Sequence, residues 1–586
     1  MALRRGVGLV LSLIGLAVIV SVASIALMFL LASRAPAVPA LATLVLRPGG
    51  DLPEIEPNDV VGQVFRREAN TVRGFVEALR KARRDPRVRT LLLMPSTLDL
   101  PYWGKVQELR DAVLDFRQSG KTVIAFLEYG GDREYYLASA ADRVFLLPTS
   151  PLDLTGVASY EIFLRGTLDK LGAYPDFLHI GDYKTAPNQL TEKGLTPAHR
   201  EMAQSLNRDM YEQLIRGIAE GRKKTDAEVR ALFDQGPFVA EEALKAGLVD
   251  DLAYEDQLDD RVPDLADDQS RIEGSQYGRV RPESVGIRPR SRIAVLYAVG
   301  TIVSGRSGFD GLNGSVVGSD TMVEQIRKIR DDDSIKAIVL RIDSPGGSSV
   351  ASDVIWRELM ITREERPSRP IVTSMGDLAA SGGYYIAIPG EVIVAQPATL
   401  TGSIGIYSGK IAIGGMLDKI GVTGEAISSG ANADIYSPFT PFTPAQRAKV
   451  ETFMKGFYDG FVTKVADSRK STADEINAVA QGRVWTGRQA LEHGLVDTLG
   501  GLDTAVAIAK ERAKIPADED VQLIVYPERR GLLDTLSEEL GGAASTGLWG
   551  ALGGDAEQRA AAALSAPVRL FRRGEPLALM PFTFVR

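Results

Sequence analysis

One serine in this sequence stands where its hydroxyl could act as a nucleophile. Ser381 lies in the run Ala379-Ala-Ser-Gly-Gly383, among small residues and just before a predicted helix. Small neighbours leave the hydroxyl open to a substrate, and the amide of Gly382 is well placed to donate to an oxyanion. A serine hydroxyl is a weak nucleophile until a neighbouring base takes its proton. No histidine, the usual base, lies near Ser381 in sequence, so the base must come from another part of the chain.

A lysine is the candidate for that partner. Lys184, in the run Gly181-Asp-Tyr-Lys-Thr-Ala-Pro187, follows a strand-like apolar stretch. A lysine acts as a base only when it is neutral, which requires that burial away from acids lowers its pKa. The residues after Lys184 are uncharged, whereas Asp182 is close in sequence and must point elsewhere. Ser403, in Leu400-Thr-Gly-Ser-Ile-Gly405, could orient the amine through a hydrogen bond.

A second glycine-rich run could hold a ligand with its backbone. Gly346 and Gly347 stand in Asp343-Ser-Pro-Gly-Gly, directly after a strand predicted at residues 337–342. Two glycines after a strand let backbone N–H groups approach a ligand closely, and a helix start would add its dipole. The run therefore indicates a binding cradle near the serine.

The histidines offer a weaker alternative base. His179 lies near Lys184, but a single histidine in an apolar strand is typical of a satisfied core residue. His199 and His493 have helical or turn contexts and are predicted to lie at the surface. None of the three is close to Ser381 in sequence.

The composition excludes several other chemistries. The 586 residues include no cysteine, which excludes disulfides, thiolate metal sites and a cysteine nucleophile. Three histidines without a zinc-protease motif argue against a metal centre. A net charge of −8 disfavours broad nucleic-acid binding. We expect no metal, no cofactor and no nucleic-acid partner.

The chain contains an internal duplication at a spacing of 247–249 residues. Residues 79–93 match 326–340, 243–250 match 490–497, and 154–156 match 400–402 after a three-residue insertion that shortens the spacing there to 246. The two copies differ at the chemical positions in complementary ways. Asp132 stands where the second copy has Ser381, and Ala433 stands where the first copy has Lys184. We therefore predict one site assembled from both copies.

Each copy is predicted to be α/β. Short apolar runs alternate with amphipathic stretches such as residues 323–330, a pattern typical of parallel strands covered on both faces. The predicted strands are 90–94, 123–127, 144–147, 337–342, 371–374 and 392–395. Residues 254–290, rich in Asp, Arg, Pro and Gly, are interpreted as an exposed linker. The tail 516–586 is interpreted as an appendage that could pack on a neighbouring subunit.

The N-terminus predicts a membrane anchor. Residues 6–33 are uncharged and mainly apolar, and about 20 such residues span a bilayer. A cleaved signal peptide is the alternative, although its apolar stretch is usually about 7–15 residues. Arg4 and Arg5 place the N-terminus in the cytoplasm by the positive-inside rule, and hence the acidic body outside it, in the periplasm of a bacterium.

At these motifs the sequence resembles the long, tandem-repeat form of signal peptide peptidase A, a family of membrane-anchored serine proteases with the ClpP/crotonase-like fold. The resemblance implies that Ser381 is the nucleophile, Lys184 the general base and Ser403 the residue that orients it, with amides of Gly346 or Gly347 and Gly382 as the oxyanion hole. It also implies a homotetramer on the bacterial inner membrane that hydrolyses hydrophobic signal peptides.

The corresponding organisation is an anchor and linker at 1–40, a first repeat at 41–275, a second repeat at 276–515 and the appendage at 516–586. Two alternatives stay open at this point. A crotonase-type enzyme could use the glycine amides to polarise an acyl-CoA thioester, but that chemistry needs no serine–lysine pair. A non-catalytic membrane scaffold could descend from a protease, although the second copy keeps every motif.

Overall fold

A computed structural model describes residues 36–55, 71–263, 265, 270–310, 314–528, 575–580 and 584–585 of the chain, with four positions near the N-terminus, 15, 16, 20 and 21. The predicted anchor at residues 6–33 lies outside the described residues apart from those four positions. Among the residues that are described, no helix combines the length and apolar character needed to cross a bilayer.

The first repeat is built on a parallel sheet. The strands in spatial order are Arg271–Glu273, Ala42–Leu46, Val88–Leu93, Thr122–Leu127, Arg143–Leu146 and Asp251–Leu252. Helices cover the sheet because each presents an apolar stripe, as Phe75, Leu79 and Ala82 do on the helix Val72–Arg84. The other helices are Gly104–Arg117, Asp132–Ala138, Arg165–Leu171, Asn188–Thr191, Pro197–Arg222, Asp226–Phe233, Ala240–Lys245, Leu258–Arg261 and Gly274–Tyr277, with short 3-10 turns at Glu255–Gln257 and Pro282–Val285.

The second repeat has an equivalent sheet. Its path is Val484–Thr486, Leu400–Gly402, Ile371–Ala380, Ile335–Ser344, Ser291–Val299 and Val521–Tyr526, with Val392–Ala395 and Thr498–Leu499 branching from Ile371–Ala380. All ten residues of Ile371–Ala380 are buried, as expected for a central strand covered on both faces. The helices are Ser319–Asp331, Ser349–Glu365, Gly382–Ala387, Gly414–Lys419, Pro444–Arg469, Ala473–Val479, Gly487–Glu492 and Leu502–Arg512.

The duplication and the α/β class are confirmed at the level of elements. The longest helices, Pro197–Arg222 and Pro444–Arg469, have 26 residues each and stand at the predicted spacing. Each begins with a threonine whose hydroxyl accepts a backbone N–H and with a proline in the first turn. Each ends at a lysine in the left-handed conformation.

A third sheet joins the two halves. Its order is Gly308–Asp310, Gly314–Gly318, Thr301–Val303, Gly346–Ser348, Leu577–Leu579, Ile406–Ala412 and Tyr174–Ile180. The last of these comes from the first repeat and pairs antiparallel with Ile406–Ala412 along its whole length. Two small pairs, Gly130–Gly131 with Leu152–Asp153 and Ser159–Tyr160 with Phe584–Val585, complete the described strands.

The interpretation of residues 254–290 as an exposed linker is wrong. Arg271–Glu273 pairs with Ala42–Leu46 at the edge of the first sheet, and Leu258, Ile272 and Tyr277 are buried. The buried apolar residues of 254–290 are too widely spaced to form a periodic pattern. The prediction of a linker therefore followed the polar composition of the segment.

The C-terminal tail lies partly inside the fold. Its described strands join the third sheet and the Ser159–Tyr160 pair within one chain. The strand Val521–Tyr526, beyond the predicted end of the second repeat, extends the second sheet beside Ser291–Val299.

Candidate active site

Ser381 lies at a sharp turn between a strand and a helix. The strand Ile371–Ala380 ends directly before it, and the helix Gly382–Ala387 begins directly after it. Its φ of 57° and ψ of −112° are unfavourable for a residue with a side chain. The Ser381 N–H donates to the Gly402 carbonyl at 2.8 Å, which holds the turn in place. The turn therefore sets the direction of a hydroxyl that is fully buried in the chain.

Lys184 contacts that serine directly. Its Nζ lies 2.7 Å from Ser381 Oγ, although 197 residues separate them in sequence. Lys184 is 0% exposed. Burial alone lowers the pKa of Lys184 well below its ordinary value, with no charged neighbour contributing. Asp182 is exposed to solvent, which agrees with the expectation that its carboxylate points away from Lys184. Because burial favours the neutral form of an amine, Lys184 in this environment is suited to accept a proton.

Ser403 holds the other side of the amine. Its hydroxyl lies 3.0 Å and its carbonyl 3.1 Å from Lys184 Nζ. Ser403 has a φ of 47°, and its N–H donates to the Arg483 carbonyl at 2.7 Å. Ser381 and Ser403 together fix the position of Lys184 Nζ. The sequence motif predicted this position for Ser403.

The glycine amides are not equivalent. The Gly346 N–H donates to Ser344 Oγ at 3.1 Å, so it is already engaged. A Cβ placed on Gly382 would lie 3.1 Å from the Gly347 nitrogen, which puts the two amides side by side. Gly382 is the first residue of its helix, where the N–H has no intrahelical partner. The Gly346 N–H is therefore held within its own loop, whereas Gly347 and Gly382 both lie beside Ala578.

Both repeats position the lysine segment. It follows the strand Tyr174–Ile180, which pairs with Ile406–Ala412 of the second repeat. The Tyr183 N–H donates to the Gln481 carbonyl at 2.9 Å. Gly482 has a φ of +78°, and a Cβ there would lie 2.5 Å from backbone atoms of Lys184. Only glycine allows this close approach of the two backbones.

A second buried lysine near the site was not predicted. Lys105, from the first repeat, lies 2.7 Å from Asp343 and 3.7 Å from Asp377, which precede the glycine run and Ser381 respectively. The Leu378 N–H donates to Asp343 Oδ1 at 3.0 Å, so this cluster ties the two strands together. Asp343 belongs to a motif recognised in the sequence. Its partner Lys105 was not predicted because it lies more than 200 residues away in the chain.

The histidines do not join the site, and two predictions for them are wrong. His179 is exposed rather than in the core, because its side chain lies on the open face of its strand. His199 is 1% exposed rather than at the surface, with Nε2 2.8 Å from a Glu161 oxygen. His493 is exposed, as predicted, and packs against Trp485.

Taken together, two duplicated α/β halves bring a buried serine, Ser381, and a buried lysine, Lys184, into contact at one site, an arrangement suited to a serine hydrolase. Comparison with known sequences agrees with this class. The profile of peptidase family S49 matches residues 115–268 and 363–516, one match in each repeat. The chain belongs to peptidase family S49.

Relatives of known name cover most of the chain. It is 36% identical over 451 residues to the chloroplast serine protease SPPA of Arabidopsis thaliana, covering 76% of this chain and 66% of that protein. It is 33% identical over 491 residues to Protease 4 of Salmonella typhi, covering 81% and 77%. A shorter match, 35% over 202 residues, covers 34% of this chain and 57% of an Enterococcus faecium protein provisionally named signal peptide peptidase SppA.

The family assignment decides between the three functional hypotheses. It confirms the resemblance found in the sequence motifs and identifies the chain as a peptidase. An acyl-CoA enzyme and a non-catalytic scaffold are both disfavoured.

Proposed function

We propose that this chain is an endopeptidase in which Ser381 attacks the scissile carbonyl and Lys184 is the general base. The observation that carries the proposal is the 2.7 Å separation of Lys184 Nζ and Ser381 Oγ in a fully buried setting. An activated serine needs a base within hydrogen-bond reach, and a base needs a group that orients it. Ser403 supplies that third contact.

The proposed mechanism follows the geometry. Neutral Lys184 takes the proton of Ser381 as Oγ attacks the carbonyl carbon. The oxyanion accepts hydrogen bonds from the N–H groups of Gly347 and Gly382. The Lys184 ammonium then gives its proton to the leaving amine, and the peptide bond breaks to leave an acyl-serine. Lys184, neutral again, takes a proton from water as the water oxygen attacks the ester carbonyl. It returns that proton to Ser381 Oγ when the ester C–O bond breaks, which releases the acid product and restores the enzyme.

Hydrophobic peptides, such as signal peptides released after preprotein processing, are the proposed substrates. Two observations support this choice. Buried apolar side chains, including Ile302 and Tyr407, lie on the strands of the third sheet beside the site. The shorter relative carries the name of a signal peptide peptidase.

The proposal includes anchoring of the chain in the bacterial inner membrane, with the catalytic body in the periplasm. The support is the uncharged apolar stretch at residues 6–33 preceded by Arg4 and Arg5. Assembly into a homotetramer is proposed from the motif resemblance alone.

The test compares purified, detergent-solubilised wild type with Ser381→Ala and Lys184→Ala on a hydrophobic peptide. Loss of the nucleophile or the base is expected to lower kcat by roughly 10³–10⁶-fold. Lys193→Ala is the matched control, since Lys193 is 71% exposed in its side chain and bonded only to a surface carboxylate. A fluorophosphonate probe is expected to label Ser381. Wild-type rates in both variants would contradict the proposal.

A further inference from the structure

The strand Ile371–Ala380 carries a bulge shortly before it reaches Ser381. Residues 376–378 of this strand lie opposite a single residue, Asp343, of the neighbouring strand. A bulge bends its strand and changes the direction of the side chains that follow, and bulges are frequent next to active sites. The direction in which Ser381 enters its turn therefore depends on the shape of this bulge.

The strand also changes its other neighbour at the bulge. Before it, residues 372–375 pair with Val392–Ala395, whereas residues 378–380 pair with Leu400–Gly402 after it. The last carbonyl of Leu400–Gly402 then accepts the Ser381 N–H at 2.8 Å. Any change in the bulge would move the strand end relative to the carbonyl that holds the serine turn.

A helix of the first repeat begins on the bulge. Asp377 Oδ1 accepts the Lys105 N–H at 2.8 Å, in the first turn of the helix Gly104–Arg117. The residue before this helix provides no side-chain hydrogen bond, so the second repeat supplies the cap. A Cβ placed on Gly104 would lie 2.9 Å from the Gly376 carbonyl oxygen, which shows how closely the helix start approaches the bulge.

The Lys105 side chain joins the two strands at the same place. Its Nζ lies 2.7 Å from an oxygen of Asp343 and 3.7 Å from an oxygen of Asp377, one carboxylate on each strand. Asp343 Oδ1 also accepts the Leu378 N–H at 3.0 Å, across the bulge. The side chains of the lysine and both aspartates are at most 10% exposed, so their attraction is only weakly screened by water.

We propose that Lys105 is a positioning residue for this reaction, whose ammonium holds the bulge in the shape that aligns Ser381 for attack. This inference rests on the proposed function. Asp343 ends the strand before the glycine run at 346–347, and Asp377 lies on the strand before Ser381. One ammonium therefore sets the spacing between the nucleophile and the candidate oxyanion glycines. The first repeat supplies the base and also the residue that shapes the nucleophile's strand.

The first experiment compares Lys105→Met with Lys81→Met in the purified, detergent-solubilised full-length chain. Lys81 is 7% exposed, and its Nζ donates to the carbonyls of Gly278 and Val280 within the first repeat. Lys105→Met is expected to lower kcat for a hydrophobic peptide by roughly 10–100-fold through misplacement of the nucleophile. KM is expected to stay nearly unchanged, because the alignment of Ser381 rather than peptide binding is altered. Lys81→Met is expected to keep a kcat close to that of wild type, and the urea midpoint of each variant reports its stability.

A second variant disturbs the bulge without removing the ammonium. The Cβ of Gly104→Ala presses on the Gly376 carbonyl, so kcat is expected to fall at least roughly threefold. Gly456→Ala is its control, since Gly456 also lies in a helix and has nothing within 4 Å of its Cβ position. The rate at which a fluorophosphonate labels Ser381 reports the nucleophile without peptide binding. It is expected to fall together with kcat in Lys105→Met and in Gly104→Ala.

Several results would overturn the positioning role. They are a loss of kcat in Lys105→Met no larger than that in Lys81→Met, a loss confined to KM, and an unchanged labelling rate. A wild-type kcat in Gly104→Ala would overturn it as well, even if Lys105→Met does not fold. If Ser381→Ala cleaves the peptide as wild type does, the proposed function fails and this inference fails with it. If Ser381→Ala is inactive while Lys105→Met matches wild type, this inference alone is wrong.

Discussion

Two buried lysines in this chain show how contacts decide the charge of one residue type. Both Lys184 and Lys105 are buried. Lys184 meets only hydroxyl and carbonyl oxygens, and burial lowers its pKa. Burial would also lower the pKa of Lys105, but the carboxylates of Asp343 and Asp377 outweigh it and raise that pKa above its ordinary value. Lys184 is therefore suited to accept a proton, whereas Lys105 stays a cation.

The lowered pKa of Lys184 predicts an acid limb in the pH profile. Below that pKa the amine is protonated and cannot act as a base, so kcat/KM is expected to rise with pH and level off well below the ordinary lysine value of about 10.4. Lys105, whose pKa is raised, contributes no limb in this range. Lys184→Arg is expected to be inactive at every pH, because a guanidinium stays protonated.

The measurement is kcat/KM for a hydrophobic peptide across the pH range in which the protein stays folded. A plateau reached only near the ordinary lysine pKa, or activity in Lys184→Arg, would contradict a neutral-lysine base.

Sequence could predict that Ser381 and Lys184 share one site because the two repeats lost complementary residues, whereas Ser403 was predicted from its own motif. It could not predict that the Gly346 amide is engaged within its own loop, since that depends on the Ser344 hydroxyl. Lys105 carried no sequence signal, because its partners lie in the other repeat.

At the scale of elements, the site depends on the third sheet rather than on either parallel sheet alone. The strand Tyr174–Ile180 brings the lysine segment from the first repeat to Ile406–Ala412 of the second. Gly346–Ser348 brings two of the three candidate oxyanion glycines to the same sheet. The serine turn reaches it from the end of Ile371–Ala380.

Gly482→Ala tests the close approach that holds the lysine segment. A Cβ at Gly482 would press on the backbone of Lys184, so we expect kcat to fall at least roughly tenfold from misplacement of the base. Gly494→Ala is the matched control, since Gly494 has a similar φ of +69° with nothing within 4 Å of its Cβ position. Both variants carry a backbone strain of about 1–3 kcal/mol.

The readout is kcat together with the urea midpoint of each variant. Equal losses of kcat in the two glycine variants would mean that backbone strain alone explains the effect, and that the contact with Lys184 does not.

Six strands of the two parallel sheets, three in each repeat, could be predicted because they are buried on both faces and form short apolar runs, whereas the buried strands Ala42–Leu46 and Ser291–Val299 were not among the predicted ones. The ends of the strands could not be predicted, as the predicted 371–374 and the observed Ile371–Ala380 illustrate, since Gly376 and Asp377 interrupt the apolar run although the strand continues through them. The third sheet had a weaker signal. The strand-like stretch before Lys184 was recognised, but five of the seven described strands have three to five residues and several pair across large distances in sequence, so local patterns do not report them.

At the scale of the whole molecule, the repeats share a buried charge cluster. Arg341 of the second repeat is fully buried. Its guanidinium lies 2.8 Å from Glu54 and 2.5 Å from Glu108, both contributed by the first repeat. It also donates to Ser374 Oγ at 2.9 Å. Because Arg341 lies on the strand that leads to the oxyanion glycines, the same contacts join the repeats and support the site.

Arg341→Met is expected to destabilise the whole chain. Removing the arginine leaves Glu54 and Glu108 buried without their cation, and breaking a buried pair typically costs about 3–5 kcal/mol. Arg83→Met is the control, because the Arg83–Asp115 pair is half exposed and such pairs contribute about 0–1 kcal/mol. The measurement is urea unfolding of both variants beside wild type.

The core cluster of the first repeat includes Leu378 and Leu400 of the second, so the halves are expected to unfold together. A small shift for Arg341→Met, equal to that of Arg83→Met, would mean that the two glutamates are solvated or protonated without cost and that the cluster does not join the repeats.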